Sequence, residues 1–115
     1  MKPEIKAQWI QALRSGEYTQ TKGELRTPNG YCCLGVLTDL YLKKHNDEWE
    51  YSERCNQYRY LDSRFGLAEE VMVWADLYEE DPNVYIGDTD YTLAHYNDEK
   101  GYTFEQIATL IEENL

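Results

Sequence analysis

Basic and aromatic side chains interleave twice in this chain, and that combination is the vocabulary of nucleotide binding. Arg14, Tyr18, Gln20, Lys22, Arg26 and Tyr31 fall within one short stretch. Arginine and lysine supply phosphate partners, a glutamine amide can meet a base edge, and a tyrosine ring offers a stacking face. Arg54, Tyr58 and Arg59 repeat the set further on. The competing reading is ordinary surface charge on a strand and a loop. Cys32-Cys33-Leu34-Gly35 offers different chemistry. A thiol at a helix N-terminus is activated by the dipole and can become a nucleophile, so Cys33 is the candidate for a cysteine-dependent hydrolase. Its competing reading is a pair of small buried residues at a strand-to-helix corner. Asp88, Asp90, Asn97 and Asp98 offer hard oxygen ligands, but without the spacing and terminal glutamate of an EF-hand. The three cysteines form no C-x-x-C and the only histidines are His45 and His95, so no metal or cofactor is expected.

These residues need elements to position them. Pro3 suits the first turn of a helix, Ile5, Trp9, Ala12 and Leu13 mark one face, and Gly16 stops it. Tyr18 to Lys22 alternates with threonines and reads as a strand, which would put Gln20 and Lys22 on one face. Thr27-Pro28-Asn29-Gly30 is a turn. Tyr31 to Leu34 is a return strand or the lead into a helix, and Leu34, Leu37, Leu40 and Tyr41 give a helical stripe ending at Lys43-Lys44. Residues 45–66 read as an irregular polar and aromatic loop. A helix with Val71, Trp74 and Leu77 facing inward ends before Asp81-Pro82, and Asn83 to Ile86 is a short strand. Thr92 to Asn97 reads as a short helix. Thr103-Phe104-Glu105-Gln106 is a capping box opening an amphipathic helix on Phe104, Ile107, Ala108, Ile111 and Leu115. The expectation is one α+β domain spanning residues 1–115, with three to four helices packed on a short antiparallel sheet.

The chain has 115 residues and a net charge of −11. Residues 1–64 hold ten Lys/Arg against nine acids, whereas residues 65–115 hold Lys100 alone against thirteen. Phosphates would be repelled by that second half, so nucleic acid is not an expected partner. The last two helices have the outline of a helix-turn-helix, but the second carries Glu105, Glu112 and Glu113 and no base, and it reads as an αα corner. No run approaches the roughly 18 apolar residues of a membrane span, and the charged start is unlike a signal peptide. The expected setting is cytoplasmic, with reduced thiols. Eleven tyrosines leave aromatic surface to spare, and a homo-oligomer is expected.

Three blocks also resemble a known family: ALRSGEYTQTKGELRTPNGYCCLGVL (Ala12–Leu37), VMVWADL (Val71–Leu77) and LAHYNDEKGYTFEQIATLIEENL (Leu93–Leu115). They are similar to small proteins common in tailed bacteriophages, with a Tyr/Phe-Cys-Cys-Leu-Gly-Val helix and a Leu-Asn-Asp-x-Gly-x-x-Phe-x-x-Ile-Ala end. Here His95-Tyr96 departs from the family pattern. The resemblance implies a phage accessory protein in the host cytoplasm, and three functions follow. One is a counter-defence sponge that sequesters a nucleotide-derived immune signal, a cyclic oligonucleotide or an ADP-ribose derivative, without turnover. Another is an acidic decoy that binds a host DNA-binding or defence protein through residues 65–115. The third is the Cys33 hydrolase. The expected ligand residues of the sponge are Arg14, Tyr18, Gln20, Lys22, Arg26, Tyr31, Arg54, Tyr58 and Arg59.

Overall fold

A computed structural model describes residues 1–115. Five helices and three β-hairpins alternate along the chain. The order is α1 (Pro3–Arg14), β1 (Arg26–Thr27), β2 (Gly30–Tyr31), α2 (Cys33–Lys44), β3 (Glu50–Ser52), β4 (Gln57–Arg59), α3 (Glu69–Ala75), β5 (Asn83–Ile86), β6 (Thr89–Thr92), α4 (Leu93–Asp98) and α5 (Phe104–Asn114). The class is α+β. The single sheet anticipated from sequence is three separate antiparallel pairs, β1–β2, β3–β4 and β5–β6. A two-stranded hairpin is marginal alone, so each depends on its neighbours: β1–β2 packs on α2, β5–β6 on α4 and α5, and β3–β4 against β1.

Helix α2 is the centre of the molecule. Cys33 through Asp39 are buried on every side of it, together with Leu42. A helix apolar all round belongs in a core. Helix α1 buries Ile5, Trp9 and Leu13 against α2 and α5. The Trp9 indole donates to the Cys33 carbonyl at 3.0 Å. Helix α5 buries Phe104, Ile107, Ala108, Leu110 and Ile111, and both arms of its capping box form: Gln106 N–H donates to Thr103 Oγ1 at 3.2 Å and Thr103 N–H to Gln106 Oε1 at 2.9 Å. Helix α4 starts at the Thr92 cap and seats Leu93, Tyr96 and Asn97 on the core. The radius of gyration is 13.2 Å, close to the roughly 13 Å of one close-packed body of this length.

Three local expectations differ from the structure. Tyr18 to Lys22 is not a strand. It touches the sheet at one parallel bridge, Gln20 to Tyr31, through Thr21 N–H to Tyr31 O and Tyr31 N–H to Thr19 O, both 2.8 Å. Gly23, at φ +89°, turns the chain away before a ladder can extend. Residues 45–66 are not an irregular loop, because β3 and β4 pair across Tyr51 and Tyr58. The segment's alternation is aromatic and polar rather than apolar and polar, and so carries little strand signal. Helix α3 also stops earlier than its apolar spacing suggests. Asp76 adopts a left-handed conformation at φ 57°, and Leu77 is buried beyond the helix end.

Candidate functional site

The β1–β2 hairpin carries a cation in an aromatic setting. Thr27 and Gly30 pair across the two-residue turn Pro28-Asn29. Gly30 is needed there because a Cβ would lie 2.2 Å from the Thr19 carbonyl oxygen. That close approach brings the 17–21 segment onto the hairpin. Arg26 projects from β1 toward three rings. Its guanidinium carbon lies 4.1 Å from the Tyr58 centroid, 5.2 Å from Tyr31 and 5.8 Å from Trp49. Contacts of this kind are electrostatically attractive and hold the guanidinium in one place. The chain's ion pairs involve Arg14, Lys43 and Arg64, so Arg26 has no carboxylate partner. Arg26 and Tyr31 line a groove of about 200 Å³ with Thr19, Thr27, Asn29 and Glu17.

Behind the rings lies Asp39, a nearly buried carboxylate of α2. It accepts the Tyr18 hydroxyl at 2.6 Å and the Lys43 ammonium at 3.1 Å on one oxygen, and the Trp49 indole N–H at 3.1 Å on the other. Three donors satisfy a charge that would otherwise be costly to bury. Burial and the bond to Asp39 push the Tyr18 hydroxyl up to about 12, so it stays protonated as a donor. Tyr31 is raised as well, chiefly by burial. Tyr18 meets Tyr31 edge-on at 5.1 Å, and Tyr31 leans on Trp49 at 6.2 Å. The network fixes the wall against which Arg26 rests.

Of the residues singled out from sequence, the structure brings together Tyr18, Arg26, Tyr31 and Tyr58. The others lie apart. Arg14 sits on α1, bridged to Glu105 at 3.1 Å and Glu112 at 3.3 Å, beside a different groove of about 520 Å³. Gln20 turns inward and donates to Asn97 Oδ1 at 2.9 Å and the Tyr102 carbonyl at 2.8 Å, because its segment is not a strand with a free face. Lys22 is exposed and makes no contact with the Arg26 rings. Arg54 is exposed in the β3–β4 turn. Arg59 alternates to the opposite hairpin face from Tyr58, in a cavity of about 300 Å³ shared with the carboxylates of Glu50 and Asp62. Two acids there oppose an anionic ligand more than the single Glu17 that lines the Arg26 groove. Sequence reasoning passed over Asp39, Lys43 and Trp49. A lone acid within an otherwise apolar helical run, with lysine four residues on, was the available signal.

The Cys32-Cys33 pair packs the corner between β2 and α2. Both thiols are buried, and Cys33 Sγ lies 3.7 Å from the Leu93 carbonyl oxygen. Burial pushes the Cys32 thiol up to about 12 and Cys33 well above the ordinary range. A buried, protonated thiol is no nucleophile, so this geometry gives the hydrolase reading no support. Only Cys55 is exposed. Thiol labelling of the native protein should therefore modify one cysteine, and labelling in denaturant three. Rapid native modification of Cys33, read by peptide mass mapping, would contradict this burial. No group of three or more His, Cys, Asp or Glu side chains is arranged to hold a metal ion. No helix is long and apolar enough to cross a membrane.

Fold and site together define a small α+β domain that presents an unpaired guanidinium beside three aromatic rings, at the edge of a mostly polar groove. A family model described as Domain of unknown function (DUF8296) matches residues 1–115, and the chain belongs to that family. No curated protein and no solved structure matches it.

Proposed function

We propose that this protein is a phage counter-defence sponge that holds a nucleotide-derived signal at the Arg26 groove without turning it over. One observation carries the reading: Arg26 is fixed by three rings yet has no carboxylate partner. Its N–H groups are free for a phosphate, and charge-assisted bonds to phosphate are among the stronger polar contacts. The Tyr31 ring lines the same groove and offers a stacking face for a base. The resemblance to small phage proteins supports a proposed setting, the cytoplasm of an infected cell. The groove of about 200 Å³ is smaller than the roughly 300–1,000 Å³ of a small-molecule site. A second copy of the chain would complete it, which makes the proposed sponge a homo-oligomer.

The test is incubation with a panel of cyclic oligonucleotides and ADP-ribose derivatives, then filtration and heat denaturation, with mass spectrometry at each step. A signal depleted from the filtrate and returned intact on heating is the expected result. Arg26→Ala should weaken binding about 10- to 100-fold, the worth of one or two charge-assisted hydrogen bonds. Lys44→Ala, outside the groove, should leave affinity unchanged. Wild-type affinity in Arg26→Ala would remove the site, and a chemically altered signal would replace the sponge with an enzyme.

A second reading rests on the α3 surface. Phe65, Val73 and Tyr78 are 58%, 69% and 86% exposed, among the exposed acids Glu69, Glu70, Asp76, Glu79 and Glu80. The Arg64 guanidinium covers Phe65 at 4.3 Å, so Val73 and Tyr78 are the apolar residues left among acids, a combination that suits a basic protein surface. This is the face of an acidic decoy for a host protein. A signal left free across the whole panel would favour this reading over the sponge.

A further inference from the structure

A third aromatic assembly lies outside both surfaces. Tyr91 lies on β6, Tyr96 lies on α4, and Tyr102 follows the turn after α4. Tyr91 and Tyr96 meet edge-on at 5.8 Å and 87°, and Tyr96 and Tyr102 stand 4.9 Å apart at 49°. The backbone ties the third ring in place, since Tyr102 N–H donates to the Tyr96 carbonyl at 3.0 Å. With Ile86, Thr89 and Lys100 these rings line a cavity of about 270 Å³. His95 stacks on Tyr91 at 4.4 Å and 18°. The Lys100 ammonium lies 4.7 Å from the Tyr91 centroid.

We propose that this cavity is a cage for a methylated ammonium, and that Lys100 is its internal stand-in. Tyr91 and Tyr102 are half-buried and Tyr96 is the buried floor, and steeply set rings around a cavity are the arrangement by which aromatic cages take cations. The chain's own cation already uses one of those rings. No carboxylate lines the cavity. A primary ammonium buried there would need acceptors for its N–H groups, whereas a quaternary one has none to satisfy. Lys100 escapes that cost because it is exposed and keeps its water. Longer-range charge favours a cation too, since Lys100 is the only base among thirteen acids in residues 65–115. Lys100 is exposed on a flexible four-carbon stem, so its ammonium can leave the Tyr91 ring through side-chain rotation alone.

The probe is tetramethylammonium chloride, followed by saturation transfer from tyrosine ring protons to its methyl protons. Transfer is expected in the intact protein, and sodium chloride of equal ionic strength should not suppress it. Lys100→Ala removes the competitor and should tighten binding about two- to fivefold, the scale of one exposed cation–π contact. Tyr91→Leu should abolish transfer while Tyr91→Phe retains it, and the circular dichroism of both variants checks the fold. Choline binding tighter than tetramethylammonium assigns the site to a choline-type small molecule. Trimethyllysine binding tighter assigns it to a modified protein tail. Absence of transfer in both the wild type and Lys100→Ala would overturn the cage, as would unmethylated lysine binding equally well.

Discussion

Gly35→Ala should destabilise the protein by about 3–5 kcal/mol, a large part of the roughly 5–15 kcal/mol that holds a domain together. Helix propensity alone points the other way, since alanine is favoured over glycine inside a helix by about 1 kcal/mol. Packing decides the sign. A Cβ on Gly35 would lie 1.7 Å from the Leu25 carbonyl oxygen and 2.6 Å from its carbon. Both atoms are backbone, so no rotamer change relieves the overlap. The same carbonyl accepts Cys32 N–H at 3.1 Å, and Leu25 itself is fully buried. Separating α2 from this crossing opens the core at the helix that organises it. Urea denaturation reads the effect as a lower midpoint at similar slope. A midpoint equal to or above wild type would show that this crossing is not held as described.

Asn97→Ala should cost a comparable amount, about 3–5 kcal/mol, by a different mechanism. Asn97 is fully buried on α4. Its Oδ1 accepts from Gln20 Nε2 at 2.9 Å and Cys33 N–H at 3.3 Å. Its Nδ2 donates to the Thr21 carbonyl and Asp98 Oδ1, both at 2.8 Å. One amide thus joins α4, the N-terminus of α2 and the 20–21 segment. Removing it strands partners on three elements, and each buried unmet group costs about 1–3 kcal/mol. Asn97→Asp sharpens the test. The new carboxylate keeps the shape but faces the Thr21 oxygen and Asp98, so burial and repulsion raise its folded-state pKa. Its charge then costs most at neutral pH. The defect should shrink as pH falls toward the unfolded carboxylate value near 3.9, where the protonated acid can donate once. Equal destabilisation of Asn97→Asp at pH 7 and pH 4, relative to wild type at each pH, would count against the buried network.

The helices were the legible part, because their signals are local. The spacing of Ile5, Trp9 and Leu13 and the Thr103–Gln106 capping box correspond to α1 and α5 as found. The hairpins were less so. Tyr18 to Lys22 alternates like a strand, yet its edge is consumed by one bridge to Tyr31 and its glutamine by Asn97. That outcome depends on α4, some 77 residues away in sequence. The candidate site followed the same division. Arg26 and Tyr31 are near in sequence because they share a hairpin, while their meeting with Tyr58 and Trp49 depends on how the β3–β4 hairpin folds back. Asp39 lay hidden in an apolar stripe because its three donors come from residues 18, 43 and 49. The Cys-Cys-Leu-Gly block, the most chemical-looking motif, is explained by packing: small thiols fill a corner, and Gly35 admits Leu25.

Helix α1 lies along α5, with Arg14 reaching Glu105, Thr109 and Glu112. During synthesis this has a temporal consequence. The face of α1 destined for α5 has no cover until residues 104–114 have emerged, some 90 residues later. At roughly 5–20 residues per second that interval is about 5–20 s, far longer than the microseconds a helix needs to form. A nascent chain therefore carries an amphipathic helix ahead of its partner for most of its translation. The window in which chaperones or a neighbouring nascent copy can capture it is set by the order of elements along the chain, not by the stability of the finished fold.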